Sequence, residues 1–116
     1  MATLQKLDLL SMGRLKTQLV DVDGGQVIIS ELGAADSFSL FNDKTNQTED
    51  GMLKMSTFGP SLVVRCLVDD NGNRLFSDDE AGQLARFRPQ IFGRLLTAAM
   101  DINGLSGTAQ ETDIKN

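Results

Sequence analysis

Leu67-Val68-Asp69-Asp70-Asn71-Gly72-Asn73-Arg74-Leu75-Phe76-Ser77-Asp78-Asp79-Glu80 is the stretch whose reading decides the fold. Taken for its ligand atoms, it is a run of carboxylates and amides at the spacing of a calcium loop. Taken for architecture, it is the end of an apolar segment, a tight polar turn and the start of a helix.

The calcium reading begins with Asp69 as the first loop position. Asn71, Asn73, Ser77 and Glu80 then fall at the third, fifth, ninth and twelfth, and Leu75 offers its carbonyl at the seventh. The sixth position of such a loop requires Gly for its sharp turn, and here it is Arg74. Arg74 costs on the order of 1 kcal/mol if forced to positive φ and sets a cation beside the metal. No second loop of this pattern exists to pair with the first. A calcium site of Asp69, Asn71, Asn73, Ser77 and Glu80 therefore stands only as the alternative.

The architectural reading accounts for the same residues without a metal. Asn71-Gly72 is turn chemistry. Ser77 followed by Glu80 is a capping box, in which each side chain satisfies a main-chain N–H of the other. Asp78, Asp79 and Glu80 suit the positive end of a helix dipole, and Arg86 and Arg88 suit the other end. A helix is expected over 78–87. Arg88 precedes Pro89 and is biased out of helical conformation, so a new helix starts at Pro89. Ile91, Phe92, Leu95, Leu96, Ala99 and Ile102 give that helix an apolar stripe, and Asn103-Gly104 ends it.

Upstream, residues 52–68 carry two patterns. Met52, Met55, Phe58, Leu62 and Cys66 can form a helical face, with Pro60 near its first turn or making a kink. Val63, Val64 and Val68 argue instead for a strand turning at Asn71-Gly72. The polar stretch 42–51 reads as a solvated loop, and Phe38 and Phe41 share a face of a short helix before it. Earlier still, Thr17–Val22 and Gln26–Leu32 flank Asp23-Gly24-Gly25, a strong hairpin signal. The leucines at 4, 7, 9 and 10 fit either a short helix or a mobile arm within residues 1–15, and 106–116 reads as a mobile tail.

Composition narrows function. The chain has 116 residues, 41% hydrophobic and 23% charged, which fits one globular domain. No apolar run reaches the roughly 20 residues that span a bilayer, and no membrane or secretory role is expected. Eleven basic residues against 16 acidic ones give a net charge of −5 without a basic stripe, a poor match to nucleic acid. With no His, imidazole catalysis and His-ligated zinc are excluded. Cys66 is the lone cysteine, in an apolar run where an inert thiol is expected. No catalytic residue and no cofactor are expected. The fold class is α+β: a mainly α-helical C-terminal half with a short N-terminal β-hairpin.

From Arg65 onward the order of features resembles that of the tail assembly chaperones of long-tailed bacteriophages. An apolar run ends Cys66-Leu67-Val68-Asp69, then comes Asn71-Gly72-Asn73-Arg74-Leu75-Phe76, then an acidic helix start. An amphipathic helix closing on Asn103-Gly104-Leu105 follows, and the chain ends Lys115-Asn116. Ile29-Ser30-Glu31-Leu32 before Ala34-Ala35-Asp36 is similar to that family's strand leading into its first helix. The resemblance favours helix for 52–68, although Gly59-Pro60 falls where the family has a continuous helix.

It implies a non-catalytic protein of the host cell cytoplasm that binds the tape measure protein and recruits the tail tube protein. Self-association and absence from the mature virion are also implied. Masking a long amphipathic helix calls for an apolar groove on a soluble body. Met52, Met55 and Phe58 are the candidate partner-binding residues, since Met repacks readily against varied surfaces. A small structural subunit of the virion is the other protein-binding alternative.

Overall fold

The computed structural model describes residues 3–105. Its elements are helix α1 (Lys6–Met12), strands β1 (Thr17–Val22) and β2 (Gly25–Ser30), and helix α2 (Ala34–Asn42). Helix α3 (Met55–Cys66), strand β3 (Leu67–Val68) and helices α4 (Ala81–Leu84) and α5 (Pro89–Ile102) follow. The class is α+β, with a three-stranded antiparallel sheet in the order β1-β2-β3 and most of the helix in the C-terminal half.

The hairpin forms where Asp-Gly falls between β-branched runs. Val22 pairs with Gly25, and the two residues between them, Asp23 and Gly24, have φ of 24° and 86°. Two consecutive positive φ values match the twist of the strands they join. Arg88 at the start of α5 holds the turn from outside, its Nη1 donating to Asp23 Oδ2 at 2.6 Å.

Of the two patterns read in 52–68 the helix prevails, taking in Val63 and Val64 but not Met52, and only Leu67–Val68 is strand. Met55 to Cys66 is helical, and Leu67, the helix cap, is already the first residue of β3, paired with Ile29. Pro60 sits inside α3 and removes one helical N–H. Gly59 beside it leaves room for α5: a Cβ there would stand 3.7 Å from Leu96 and Phe92. Phe58, Leu62, Val63, Val64 and Cys66 are buried together with Ile29, Leu40, Leu84, Leu95 and Ala99, so α3 is the centre of the core. Helix α5 packs against both α3 and the sheet.

The end of α5 is a Schellman stop. Gly104 has φ 69°, its N–H reaches Asp101 O at 3.1 Å, and the Leu105 N–H reaches Met100 O at 2.7 Å.

Three expectations change. The 78–87 helix is shorter: a 3₁₀ turn, Asp78–Glu80, leads into α4, which ends at Leu84. Arg88 adopts φ −56°, ψ 136° ahead of Pro89, so the helix must unwind before it. Phe38 and Phe41 do not share a buried face. Leu40 centres the buried side of α2, and Phe38, two residues back, lies about 200° round the axis and is 69% exposed. Phe41 packs on Phe58, ring centroids 5.2 Å apart.

The polar stretch 42–51 is also more than a solvated loop. Its 3₁₀ turn, Lys44–Asn46, is capped by Asp43, and Asn46 is buried with its amide donating to Leu40 O at 3.3 Å. Of the leucines near the N-terminus, Leu7, Leu9 and Leu10 lie in α1, which starts with a capping box between Gln5 and Asp8. The tail read at 106–116 lies outside the described residues.

Candidate functional site

The acidic segment is a closed structural turn. Asp69 donates its N–H to Asn73 O at 2.8 Å, and its Oδ1 accepts the N–H groups of Asn71 at 2.8 Å and Asn73 at 2.9 Å. The carboxylate that would head a calcium loop is thus spent inside its own turn. The left-handed position falls at Gly72, φ 83°, two residues before the place a calcium loop requires it. Glu80 Oε1 accepts the Ser77 N–H at 2.7 Å, completing the capping box.

Arg74 occupies the space between the turn and the helix start. Its Nη2 lies 2.5 Å from Asp78 Oδ1 and 3.5 Å from Val64 O. Asp78 Oδ2 also faces Arg65 Nη2 at 3.5 Å, and Arg65 Nη1 faces Asp36 Oδ1 at 3.6 Å. Two arginines and two aspartates so tie α2, α3, the turn and the start of α4. Among the described residues no three carboxylate or thiol groups come together as metal ligands. The arrangement is a brace.

Cys66 is buried, and loss of solvent pushes its thiol up to about 11, only partly offset by the Asn103 amide, whose Nδ2 lies 3.5 Å from Sγ. Such a thiol stays protonated and is a poor nucleophile at neutral pH. At the surface, the Thr45 hydroxyl and N–H, 2.7 and 2.9 Å from Asp43 Oδ1, hold that carboxyl below its usual range. That is a helix cap and nothing more.

What remains are apolar surfaces. Met55 opens α3 and is 45% exposed. With Pro60, Ala85, Phe87, Pro89 and Phe92 it lines a groove of about 280 Å³. The groove exists because α4 stops short: the chain unwinds through Phe87 to reach Pro89, leaving Phe87 half out of the core. Met52, ahead of α3, is 68% exposed. Phe58 is different, being 1% exposed at the centre of the core, so it offers nothing to a partner. Of the three residues named from sequence, Met52 and Met55 face solvent, and only Met55 lines the groove.

Phe87 and Phe92 were not singled out as contact residues in the sequence. Arg86-Phe87-Arg88-Pro89 does hold a signal, an aromatic between two exposed cations just before a helix-breaking proline. A second groove, about 620 Å³, runs between β1 and the outer side of α5.

The fold is shared with a solved structure. The chain matches the tail assembly chaperone of bacteriophage HK97 with a TM-score of 0.58, covering 84% of this chain and 97% of that one. Identity between the two is 22%. No family model matches the sequence, and no curated protein matches it.

Proposed function

We propose that this chain is a non-catalytic tail assembly chaperone of a long-tailed bacteriophage. It works in the host cytoplasm, binding the tape measure protein and recruiting tail tube protein round it, and leaves before the virion is complete. The observation that carries the reading is the fold, shared over 97% of the HK97 chaperone's length. The features from Arg65 to Leu105 that resemble the family add to it.

The chemistry of the surface suits the role. A tape measure protein is a long amphipathic helix, and its apolar stripe needs a groove that grips weakly and lets go. Met55, Phe87 and Phe92 provide such a groove, with Met52 on the exposed approach to α3. Thioether side chains adapt to whichever residues pass.

Co-expression with the tape measure protein of the same phage tests this. The chaperone should keep that protein soluble and co-purify with it, and Met55→Glu with Phe87→Glu should abolish both effects. Mass spectrometry of purified particles should find the chain absent. Retention in the particle would instead make it a structural subunit.

A further inference from the structure

The groove lined by Met55, Phe87 and Phe92 has an edge of one sign. Lys54 precedes Met55 in the chain, and Arg86 and Arg88 stand on either side of Phe87, so each lies one residue from the lining. All three are exposed. No Asp or Glu lines the groove, and none is next in sequence to a residue that does. In a chain with 16 acidic residues against 11 basic ones, this reverses the prevailing charge.

Only one of the three cations is answered within the molecule. Arg88 pairs with Asp23 at 2.6 Å, while Lys54 and Arg86 enter no ion pair among the described residues. Helix stability does not account for Lys54 either. It is the N-terminal cap residue of α3, where the helix dipole disfavours a cation, and its side chain makes no cap bond. Helix α5 also begins at the groove, with Pro89, and neither helix has an acidic residue in its first turn. The backbone thus adds to the sign the side chains set. A surface charge that works against its own helix is the kind of local conflict that a binding face retains.

The groove continues along the molecule. It shares Ser56, Pro60 and Ala85 with an adjoining groove of about 260 Å³ that has Ala81 and Gly82 among its lining. The two follow the seam between α3 and α4, a trough in which a helix can lie lengthwise.

We infer that this trough takes an amphipathic helical segment whose apolar stripe is flanked by Asp and Glu, with carboxylates facing Lys54 and Arg86. The occupant so described deepens the chaperone reading, on which it rests, by giving the charge of the segment held. Its sign is opposite to the one that a net charge of −5 would select. Charges at so exposed an edge are screened by salt, so they choose and steer the segment more than they hold it.

Two designed helical peptides of about 18 residues, five turns, serve as probes. Both carry the same stripe of Leu and Met, flanked by Glu in one and by Lys in the other. Fluorescence anisotropy with the full chain at low salt should show the Glu peptide binding at least fivefold tighter, a preference that shrinks as salt rises. Lys54→Gln with Arg86→Gln should erase the preference, and Lys54→Glu with Arg86→Glu should reverse it, urea denaturation verifying that both variants fold. Equal affinities, a preference for the Lys peptide, no binding of either, or a preference untouched by these substitutions would each overturn the inference. Co-expression separates its failure from that of the chaperone reading. Tape measure protein that co-purifies equally with the native chain and with the Lys54→Glu, Arg86→Glu chain would sink the inference and leave the reading standing. Failure to co-purify with the native chain would remove the reading, and the inference with it.

Discussion

The side-chain carbonyl of Asn103 accepts the main-chain N–H of Leu32 at 2.9 Å, joining positions 71 residues apart. The same amide donates to Ala99 O at 2.8 Å and approaches Cys66 Sγ at 3.5 Å. One side chain at the end of α5 so fastens the exit of the hairpin and the end of α3. Asn103→Ala leaves the Leu32 N–H without its acceptor in a half-buried setting, and should cost about 1–3 kcal/mol in urea denaturation. Asn103→Asp keeps an acceptor for Leu32 but loses both donated bonds, and should fall between.

Cys66 gives a pH signature. The folded thiol keeps its proton to about 11, against an ordinary 9.0. Between those values the folded state binds more protons, so the thiol's contribution is full below pH 9 and is lost as pH rises towards 11. The stability difference between the native chain and Cys66→Ala should shrink across that window, by on the order of 2 kcal/mol in all. Thiol reagents at neutral pH should label Cys66 only as fast as the chain unfolds.

The brace around Asp78 makes unequal demands on its members. Asp78 faces both Arg65 and Arg74, whereas Asp36 faces Arg65 alone. The Arg65 side chain is 11% exposed, and a buried charge stripped of a partner is costly. Asp78→Asn should therefore destabilise clearly more than Asp36→Asn, by roughly 1 kcal/mol or more on chemical denaturation. Equal effects would mean the pairs are solvent-screened and slight.

Calcium should leave the melting temperature unchanged, since Asp69 and Glu80 are already engaged by main-chain N–H groups. Glu80→Ala should cost about 0.5–1.5 kcal/mol through loss of the bond it accepts from the Ser77 N–H, with or without the ion. A rise of several degrees on adding calcium, reversed by chelator, would restore the loop reading.

Gly59→Ala should stabilise the chain. The added methyl meets Leu96 and Phe92 at 3.7 Å, ordinary contact, while the helix loses a flexible residue. About 0.4–1 kcal/mol is expected on thermal or urea unfolding.

Local chemistry made much of this fold readable in advance. Asp23-Gly24 marks a hairpin because few other pairs accept two positive φ values. Ser77 with Glu80 marks a helix start, and Pro89 with Gly104 brackets α5, because each satisfies or removes a main-chain group at a known place. Tertiary effects were not readable. Residues 63–68 hold β-branched side chains that suit helix or strand, and the pairing of Leu67 and Val68 with β2 marks the division at Cys66. Phe58 and Met55 look alike in a helical pattern, yet one turns inward onto Phe41 and the other rims a groove. That groove depends on how far α4 unwinds before Pro89, a distance no short motif encodes.

Leu67 ends α3 and begins β3 with no residue between. One residue inserted at this junction would turn the buried face of α3 about 100° relative to the sheet, or swap the faces of β3. The turns at 23–24 and 70–73 and the stretch 47–51 carry no such penalty. Across diverged relatives, gains and losses of chain length should therefore accumulate in those three places, and the interval from Phe58 to Val68 should keep its residue count while its residues change.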